Sequence, residues 1–438
     1  GLRVGGPGRV VDYAVKMRRI PREAMLDYLV ISGEATSSLV RRIGEHLAQT
    51  HACAPTSPHI ARLGTWAIGY AWRENFAQWR EMVGQTITPQ QDHLLKGYVT
   101  WFLRRRRDLL EKRAREGRVR ECHGDLRCES IALSPTGEIC IMDCIEFSRR
   151  LRYTDVAGDV GFLAMDLENR GRPDLARDFV EAYISASGDE GLWDVLDFYR
   201  CYRAAVRGKV EGIRGSQPGL SALEREGTLE AARRFFRLAA TYAHRDWPYL
   251  IITCGLAGTG KSSLAHSLGM EVVSSDVVRK ELAGLPPLER HPEAIGRGIY
   301  SPAMTERTYR ALMERGRLLL RQGKWVVLDA TFLRRRHRQW ARRLAQEEGV
   351  RFLCIQLQAP EEEVHRRLGR RWEGEPQGAS DADWRVFLAQ KEAWEPPTEI
   401  PPHELMVLEA TRPPAELARE ALHRLSLQSQ GLSNEEAP

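Results

Sequence analysis

Residues 255–262 read Gly-Leu-Ala-Gly-Thr-Gly-Lys-Ser and fit the pattern G-x-x-x-x-G-K-[ST]. They lie between an apolar run at 249–254 and a helical pattern at 263–268, as a phosphate-binding loop requires. Glycines let backbone N–H groups face phosphate oxygens, the lysine neutralises the phosphates, and the serine hydroxyl ligates Mg²⁺. The residues predicted to bind ATP and its metal here are Gly255, Gly258, Thr259, Gly260, Lys261, Ser262 and Ser263.

A carboxylate and a guanidinium follow the next predicted strand, at Asp276 and Arg279. They lie one helical turn apart at the carboxyl edge of the predicted sheet, where ligands bind in open α/β folds. Asp276 could accept the proton of an attacking hydroxyl, while Arg279 could orient the acceptor. The alternative, an N-cap aspartate with a solvent-facing arginine three residues later, carries equal weight on this pattern alone.

Two further features suit phosphoryl transfer. Asp329 ends the third strand of this region, where a carboxylate can hold the water shell of Mg²⁺. A helical cluster of four arginines could close over the phosphoryl group as a lid, or equally form a solvated basic face. The cluster consists of Arg366, Arg367, Arg370 and Arg371, of which Arg366 and Arg370 are assigned to the nucleotide.

A second constellation precedes these motifs, in the sequence His123-Gly-Asp125. It differs in its chemistry, because a loop carboxylate, Asp125, would accept the proton of the acceptor. Asp143 at a strand end would chelate Mg²⁺, with Ser130 at the position of a second metal ligand. A buried turn held together by hydrogen bonds is the structural alternative for this loop.

The elements that must position these residues divide into two kinds. The first 245 residues combine a predicted strand at 9–17, a hairpin within 119–147 and long helical patterns, with a loop at 213–227. From Tyr249 onward strands and helices alternate, which indicates a parallel sheet covered by helices. The predicted class is a two-domain α/β and α+β protein. Its predicted divisions are residues 1–245, 246–428 and a disordered tail, 429–438.

Composition excludes several classes. The net charge of +6 is modest and falls mostly in the first 250 residues, so polynucleotide binding is disfavoured. The eight cysteines form no C-x-x-C pair, which favours free thiols in a reducing cytoplasm. No apolar stretch is long enough to span a membrane. The pattern leaves the oligomeric state open.

The second region resembles the P-loop kinase family related to gluconate, shikimate and polynucleotide 5′-kinases. The resemblance covers about residues 248–425 and implies an ATP donor site with Asp276 and Arg279 on the acceptor side. Five strings carry it, in order: Gly255–Ser263, Ser275–Arg279, Tyr300–Ser301, Leu328–Phe332 and Ser380–Ala382.

The first region resembles the aminoglycoside phosphotransferase family, which implies the large lobe of a protein-kinase-like fold. His-Gly-Asp-Leu at 123–126 and Asp-x-Ile-Glu-Phe at 143–147 carry the match, and Asp155, Asp159 and Asp166 extend it. The family's metal-binding Asn is Ser130 here. Nothing before Arg9 supplies the small lobe, so we expect either that about 80–100 residues are missing or that this half is inactive. Together the regions look like the two-domain aminoglycoside phosphotransferase/ATP-binding proteins of bacteria.

The sequence therefore predicts an ATP- and Mg²⁺-dependent kinase whose C-terminal domain phosphorylates a hydroxyl of a small polar molecule, such as a sugar or sugar acid. Its predicted partners are ATP and this acceptor, without nucleic acid or membrane. Two alternatives remain: an ATP-binding regulatory or sensor protein with a degenerate kinase-like half, and a polynucleotide 5′-hydroxyl kinase.

Overall fold

A computed structural model describes residues 9–11, 13, 19–286, 297–373 and 382–430, without the side chains of 371–373 and 426–430. Parts of three predictions lie outside this range: the strand beyond Tyr13, residues 380 and 381 of the string 380–382, and the tail from 431. Within the range, Arg9–Val11 and Tyr13 are in no strand, so the predicted strand at 9–17 is wrong at these positions.

Helices and strands are numbered along the chain. The helices are α1 (Leu26–Ser32), α2 (Ser37–Cys53), α3 (Pro58–Gln78), α4 (Pro89–Arg105), α5 (Arg107–Arg115), α6 (Arg149–Arg152), α7 (Ala157–Asn169), α8 (Pro173–Ser187), α9 (Trp193–Gly215), α10 (Ala222–Asp246), α11 (Lys261–Ser267), α12 (Ser275–Leu282), α13 (Pro302–Arg321), α14 (Arg335–Glu348), α15 (Glu361–Glu373), α16 (Trp384–Glu392) and α17 (Pro414–Gln430). The strands are β1 (Val119–Glu121), β2 (Ile131–Leu133), β3 (Ile139–Ile141), β4 (Tyr153–Asp155), β5 (Tyr249–Cys254), β6 (Glu271–Ser274), β7 (Val326–Asp329), β8 (Arg351–Gln358) and β9 (Leu405–Glu409).

The chain divides into two compact units. The first comprises residues 1–64 and 119–192, and the second comprises 65–118 and 193–438. These divisions differ from the predicted domain boundary at residues 245/246, which separates regions carrying different motifs and stays a prediction.

Helix packing and two short antiparallel strand pairs make up the first unit. Helix α2 packs against α8, which also contacts α7. Thr36 caps α2 by accepting the N–H of Leu39, and the apolar side of the helix is buried. Strand β1 pairs with β4, and β2 pairs with β3 as the predicted hairpin. This unit positions the His-Gly-Asp loop between β1 and β2.

In the second unit, α10 packs along α9 and also contacts α4 and α17. The loop predicted at 213–227 is shorter than expected, because α9 continues to Gly215 and α10 begins at Ala222. A capping box explains the early start of α10: the Ser221 hydroxyl accepts the N–H of Glu224, whose carboxylate accepts the N–H of Ser221.

The parallel sheet of this unit has the strand order β6-β7-β5-β8-β9. Every residue of β5 and β7 is buried, because helices cover both faces of the sheet. Helices α11 and α17 contact one another, and their apolar residues join those of β5 and β8 in one core. Helices α13 and α14 likewise contact one another and the strands. The predicted parallel sheet covered by helices is confirmed.

Neighbouring parallel strands end at the same edge of this sheet. Strand β5 ends before the glycine-rich loop, β6 runs directly into α12, and β7 ends at Asp329. The fold thereby brings three separate sequence motifs to one edge. Within the described residues, no helix is long and apolar enough to cross a membrane.

Candidate functional site

The glycine-rich loop joins the buried strand β5 to α11, which begins at Lys261. Gly258 and Gly260 have φ angles of 76° and 92°, a backbone region that favours glycine. A Cβ on Gly258 would also lie only 2.8 Å from Cγ1 of Val364, so this position has no room for a side chain. The loop is anchored by the N–H of Gly255, which donates to the carbonyl of Thr331 at 3.1 Å.

The Lys261 side chain is held against the loop. Its Nζ donates a 2.6 Å hydrogen bond to the carbonyl of Leu256, and the residue is 8% exposed. The Thr259 hydroxyl donates to the same carbonyl at 2.9 Å. Ser262 and Ser263 follow at the exposed start of α11. The lysine amine, the two hydroxyls and the loop backbone therefore lie together at the sheet edge.

Asp329 lies on the strand adjacent to the one that leads into the loop. It is 4% exposed, and its Oδ1 accepts a 3.1 Å hydrogen bond from the hydroxyl of Thr253 on β5. The same hydroxyl accepts the N–H of Ala330 at 3.3 Å. Thr253 thus orients the carboxylate at the strand tip, a role that the loop pattern did not reveal.

Asp276 and Arg279 both belong to the first turns of α12. Asp276 is partly exposed, whereas Arg279 is only 8% exposed. Nη1 of Arg279 donates to the carbonyl of Ile299 at 2.9 Å and to the Thr305 hydroxyl at 3.3 Å. The guanidinium also lies 5.1 Å from the centre of the Tyr300 ring. Arg279 is therefore fixed, rather than a mobile surface cation.

These motifs surround one cavity of about 420 Å³. Its walls come from the glycine-rich loop and the adjoining parts of α11, α12, α13, β7, α14 and α16. The predicted site residues that line it are Gly258, Gly260, Lys261, Ser262, Ser263, Asp276, Arg279 and Asp329. The residues assigned to phosphate and metal binding therefore line the same cavity as the residues assigned to the acceptor.

Of the predicted lid arginines, the three whose side chains are described, Arg366, Arg367 and Arg370, do not line this cavity. Nε of Arg366 donates to Glu363 at 2.9 Å, and Nε of Arg367 donates to the other oxygen of that carboxylate at 2.6 Å. Arg370 is exposed on the same helix, and the side chain of Arg371 lies outside the described residues. Arg366 and Arg367 thus form ion pairs with Glu363 on their own helix.

The cavity also contains side chains that sequence patterns did not single out. The His337 ring stacks on Tyr309 with centroids 3.8 Å apart, and its Nε2 lies 3.2 Å from Oε1 of Glu306. Burial lowers the pKa of His337 and raises the pKa of Tyr309 to about 12. The Tyr309 hydroxyl accepts the N–H of Phe332, whose φ of 44° is rare for a residue with a side chain. The sequence pattern of the helices that carry Tyr309 and His337 indicates only helical structure, and it did not predict these contacts.

The His-Gly-Asp loop of the first unit has its own geometry. Nη2 of Arg127 donates to Oδ2 of Asp125 at 3.3 Å, and Nη1 donates to Glu129 at 2.6 Å. The Ser130 hydroxyl is turned toward the backbone, donating to the carbonyl of Asp125 at 3.2 Å. Asp143 is exposed and has a φ of 64°. Arg127 therefore contacts Asp125, the candidate base of this loop.

Asp159, at the start of α7, holds the His-Gly-Asp loop by hydrogen bonds to the loop backbone. Its two carboxylate oxygens accept the N–H groups of His123 at 2.7 Å and Gly124 at 2.9 Å. Oδ2 also lies 3.3 Å from Nε2 of the buried His51. A fully buried carboxylate that accepts backbone N–H groups fixes the loop conformation. Asp159 is among the residues that extend the resemblance to the aminoglycoside phosphotransferase family, but the sequence did not predict its hydrogen bonds to the loop.

Two protein-family models match different stretches of the chain. Residues 9–199 match the model of a phosphotransferase enzyme family, and residues 250–397 match that of an AAA domain. An uncharacterized protein of Mycobacterium tuberculosis strain H37Rv is 34% identical over 355 residues, covering 79% of this chain and 70% of that protein. An uncharacterized protein of Mycobacterium bovis matches with the same values.

Solved structures similar to the chain each cover less than half of it. A gluconokinase from Sinorhizobium meliloti is 21% identical, covering 43% of this chain and 97% of that chain with a TM-score of 0.31. The APS kinase of Mycobacterium tuberculosis is 20% identical, covering 41% of this chain and 98% of that chain with a TM-score of 0.29.

Proposed function

The chain belongs to the family of these mycobacterial proteins and is a phosphotransferase of the kinase class, and we propose that its C-terminal region transfers a phosphoryl group from ATP to a small polar alcohol. A sugar or a sugar acid is the acceptor class that we assign. The observation that carries the proposal is the single cavity lined by Lys261, Ser262, Asp276 and Asp329. The proposed domains remain residues 1–245 and 246–428.

The glycine-rich loop fits a triphosphate. Gly258 and Gly260 adopt backbone conformations that favour glycine, and a Cβ at Gly258 would meet Val364. Backbone N–H groups of such a loop and the start of α11 attract phosphate oxygens. Lys261 would move its amine from the Leu256 carbonyl onto the phosphates. We assign Arg366 and Arg370 to the nucleotide as well, which requires them to leave their positions outside the cavity.

A magnesium site fits the oxygen donors beside the loop. Ser262 offers a hydroxyl, and Asp329 offers the carboxylate oxygen that Thr253 leaves uncontacted. Hard oxygen ligands of this kind suit Mg²⁺, which neutralises charge on the phosphates when bound. Thr253 keeps the Asp329 carboxylate in one orientation, so the chain itself positions the metal ligand.

Asp276 and Arg279 are assigned to the acceptor. The acceptor hydroxyl oxygen would form a bond to the γ-phosphorus while the bond to the bridging oxygen of ADP breaks. The hydroxyl proton would pass to a carboxylate oxygen of Asp276, acting as general base. Arg279, held by Ile299 and Thr305, would orient the acceptor.

The first unit supports a second candidate function, that of a sensor which controls the kinase region. The arginine Arg127 contacts Asp125, the residue assigned as base in the His-Gly-Asp loop. Ser130 and Asp143 stay assigned as its metal ligands, but the Ser130 hydroxyl donates to the backbone. A base that is paired with an arginine and a short metal ligand favour ligand binding over catalysis in this unit.

The experiment follows ATP consumption against pooled sugars, sugar acids, nucleosides and aminoglycosides, and detects the phosphorylated product by mass. Lys261→Ala should lower turnover about a hundredfold or more, because it removes the cation that stabilises the transferring phosphoryl group. Lys324→Ala, which removes an exposed lysine paired with Glu271, is the matched control and should keep full activity. Full acceptor-dependent turnover in Lys261→Ala would disprove the assignment.

A further inference from the structure

A groove between α13 and α14 is lined by none of the residues that line the cavity of the glycine-rich loop. Its volume is about 350 Å³, within the range of about 300–1,000 Å³ that is usual for small-molecule sites. Met313 and Leu344 are buried along it, and Trp340 is partly exposed. The other residues that line the groove are charged. The groove therefore combines an apolar side with ionic groups.

The two helices that form the groove carry an excess of positive charge, with ten arginines and four glutamates. Arg307, Arg310 and Arg343 form no ion pair with a carboxylate of the described residues. Two of these three, Arg310 and Arg343, line the groove and are exposed. The other seven arginines do pair with described carboxylates: Arg315, Arg317, Arg321, Arg335, Arg336, Arg338 and Arg342.

Glutamates within the groove pair with Arg317 rather than with Arg310 and Arg343. Glu314 lies four residues after Arg310, and Glu347 lies four residues after Arg343, a spacing at which opposite charges on a helix can pair. Instead, Nε of Arg317 lies 3.9 Å from Oε2 of Glu314, and its Nη2 lies 2.9 Å from Oε2 of Glu347. Arg310 and Arg343 therefore keep their capacity to bind an anion.

Trp340 adds an aromatic surface to the same groove. Its ring centre lies 5.5 Å from that of His337, which lines the cavity of the glycine-rich loop. An indole ring can stack on the flat face of a base, and guanidinium groups bind phosphate oxygens by charge-assisted hydrogen bonds. The groove thus offers recognition for a flat ring and for a phosphate.

We propose that this groove is a second ligand site, and that its ligand is a small phosphorylated aromatic compound of the nucleoside monophosphate class. The phosphate binds Arg310 and Arg343, and the ring stacks on Trp340. An acidic peptide would also be attracted to the two arginines, but the partly exposed indole and the buried apolar side of the groove favour a ligand with a flat ring. The site does not depend on the proposed kinase function.

Titration calorimetry of the full chain with AMP, GMP, CMP and UMP tests the proposal. Each titration is made with protein saturated with AMPPNP and Mg²⁺, and again with Lys261→Ala, so that binding at the glycine-rich loop is not mistaken for binding in the groove. At least one monophosphate should bind saturably under both conditions, with a Kd below about 1 mM. The corresponding nucleoside, which lacks the phosphate, should bind about tenfold more weakly or worse.

Arg310→Gln and Arg343→Gln should each weaken this binding about tenfold or more, because each removes a charged donor to the phosphate. Both arginines are exposed, so these variants should fold like the wild type. Trp340→Leu should weaken binding about tenfold or more through the loss of stacking, and Trp340→Phe should restore part of the affinity. Arg315→Gln is the matched control, because Arg315 lies on α13 outside the groove and pairs with Glu281. Its affinity should equal that of the wild type.

The absence of saturable binding by every monophosphate overturns the proposal, as does wild-type affinity in Arg310→Gln, Arg343→Gln or Trp340→Leu. Titration with poly-glutamate distinguishes the other kind of partner. If poly-glutamate binds, the two arginine variants weaken that binding and no monophosphate binds, the groove receives an acidic protein surface and the proposal is wrong. None of these results bears on the kinase assignment, which is tested by the acceptor-dependent turnover of Lys261→Ala.

Discussion

The side-chain carbonyl of Gln390 accepts a 2.7 Å hydrogen bond from the backbone N–H of Ala257. Gln390 belongs to α16 and lines the same cavity as the glycine-rich loop. One N–H of the candidate phosphate-binding loop therefore already has an oxygen acceptor, provided by a helix far along the chain.

Gln390→Glu should weaken ATP binding by about tenfold or more. It places a negative charge beside the loop where the triphosphate is expected, and two unit charges 4 Å apart repel by about 4 kcal/mol at an effective dielectric constant of 20. A tenfold loss corresponds to about 1.4 kcal/mol, so partial screening leaves the effect measurable. Titration calorimetry with ATP measures it.

The matched control for this prediction is Arg385→Gln. Arg385 is exposed on the same helix, and its substitution changes the charge of α16 by the same amount. Its affinity for ATP should equal that of the wild type. Equal losses in both variants would show that the overall charge of the helix matters, and not the contact with Ala257.

Thr253→Val should lower the free energy of unfolding by about 1–3 kcal/mol, because Asp329 and the Ala330 N–H lose a buried partner. The side chains have nearly the same shape, so the loss reports on the hydrogen bonds. Urea denaturation measures stability, and Mg²⁺ titration of ATP turnover should show a higher requirement for the metal. Thr253→Ser keeps the hydroxyl and should restore both properties. A stable Thr253→Val variant with an unchanged requirement for Mg²⁺ would contradict the assigned role.

Asp276→Asn and Asp125→Asn separate the two candidate catalytic sites. Asp276→Asn should lower kcat about 10²- to 10⁴-fold, as expected when a general base is removed, with little change in the KM for ATP. Asp125→Asn should leave kcat unchanged, because Arg127 already contacts that carboxylate. Steady-state kinetics with the accepted substrate measure both. The reverse result would move the chemistry to the first unit.

Asp246 should make stability depend on pH. Burial raises the pKa of Asp246 from 3.8 to about 6, although the Tyr98 hydroxyl donates to its Oδ2 at 2.6 Å. Between these pH values the folded state binds more protons than the unfolded state, so this group lowers the free energy of unfolding as pH rises. Asp246→Asn removes that loss, and its stability relative to the wild type should improve by about 1–3 kcal/mol between pH 4 and pH 7.

Urea denaturation at several pH values measures this difference. Asp108→Asn, an exposed aspartate of α5, is the control and should follow the wild-type profile. If Asp246→Asn also follows the wild-type profile in parallel, the buried carboxyl does not titrate as stated.

Much of the fold followed from local patterns. The run Tyr249–Cys254, the glycines after it and the alternation of strands and helices predicted the parallel sheet, because each pattern reflects burial or backbone conformation along a continuous segment. The early part of the chain was harder to predict. The alternating residues from Arg9 to Tyr13 resemble a strand, but the described ones form none, since alternation alone supplies no neighbouring strand to pair with.

By itself, the sequence determined the chemistry available: a glycine-rich loop with Lys261 and Ser262, and carboxylates at Asp276 and Asp329. Only the tertiary structure decided which groups share the cavity. It brought in Gln390 and the stacked Tyr309 and His337, left the described lid arginines Arg366, Arg367 and Arg370 outside, and buried Arg279. The physical reason is that motif spacing records neighbours along one segment. Hydrogen bonds and desolvation depend on segments that meet only when the sheet and its helices pack.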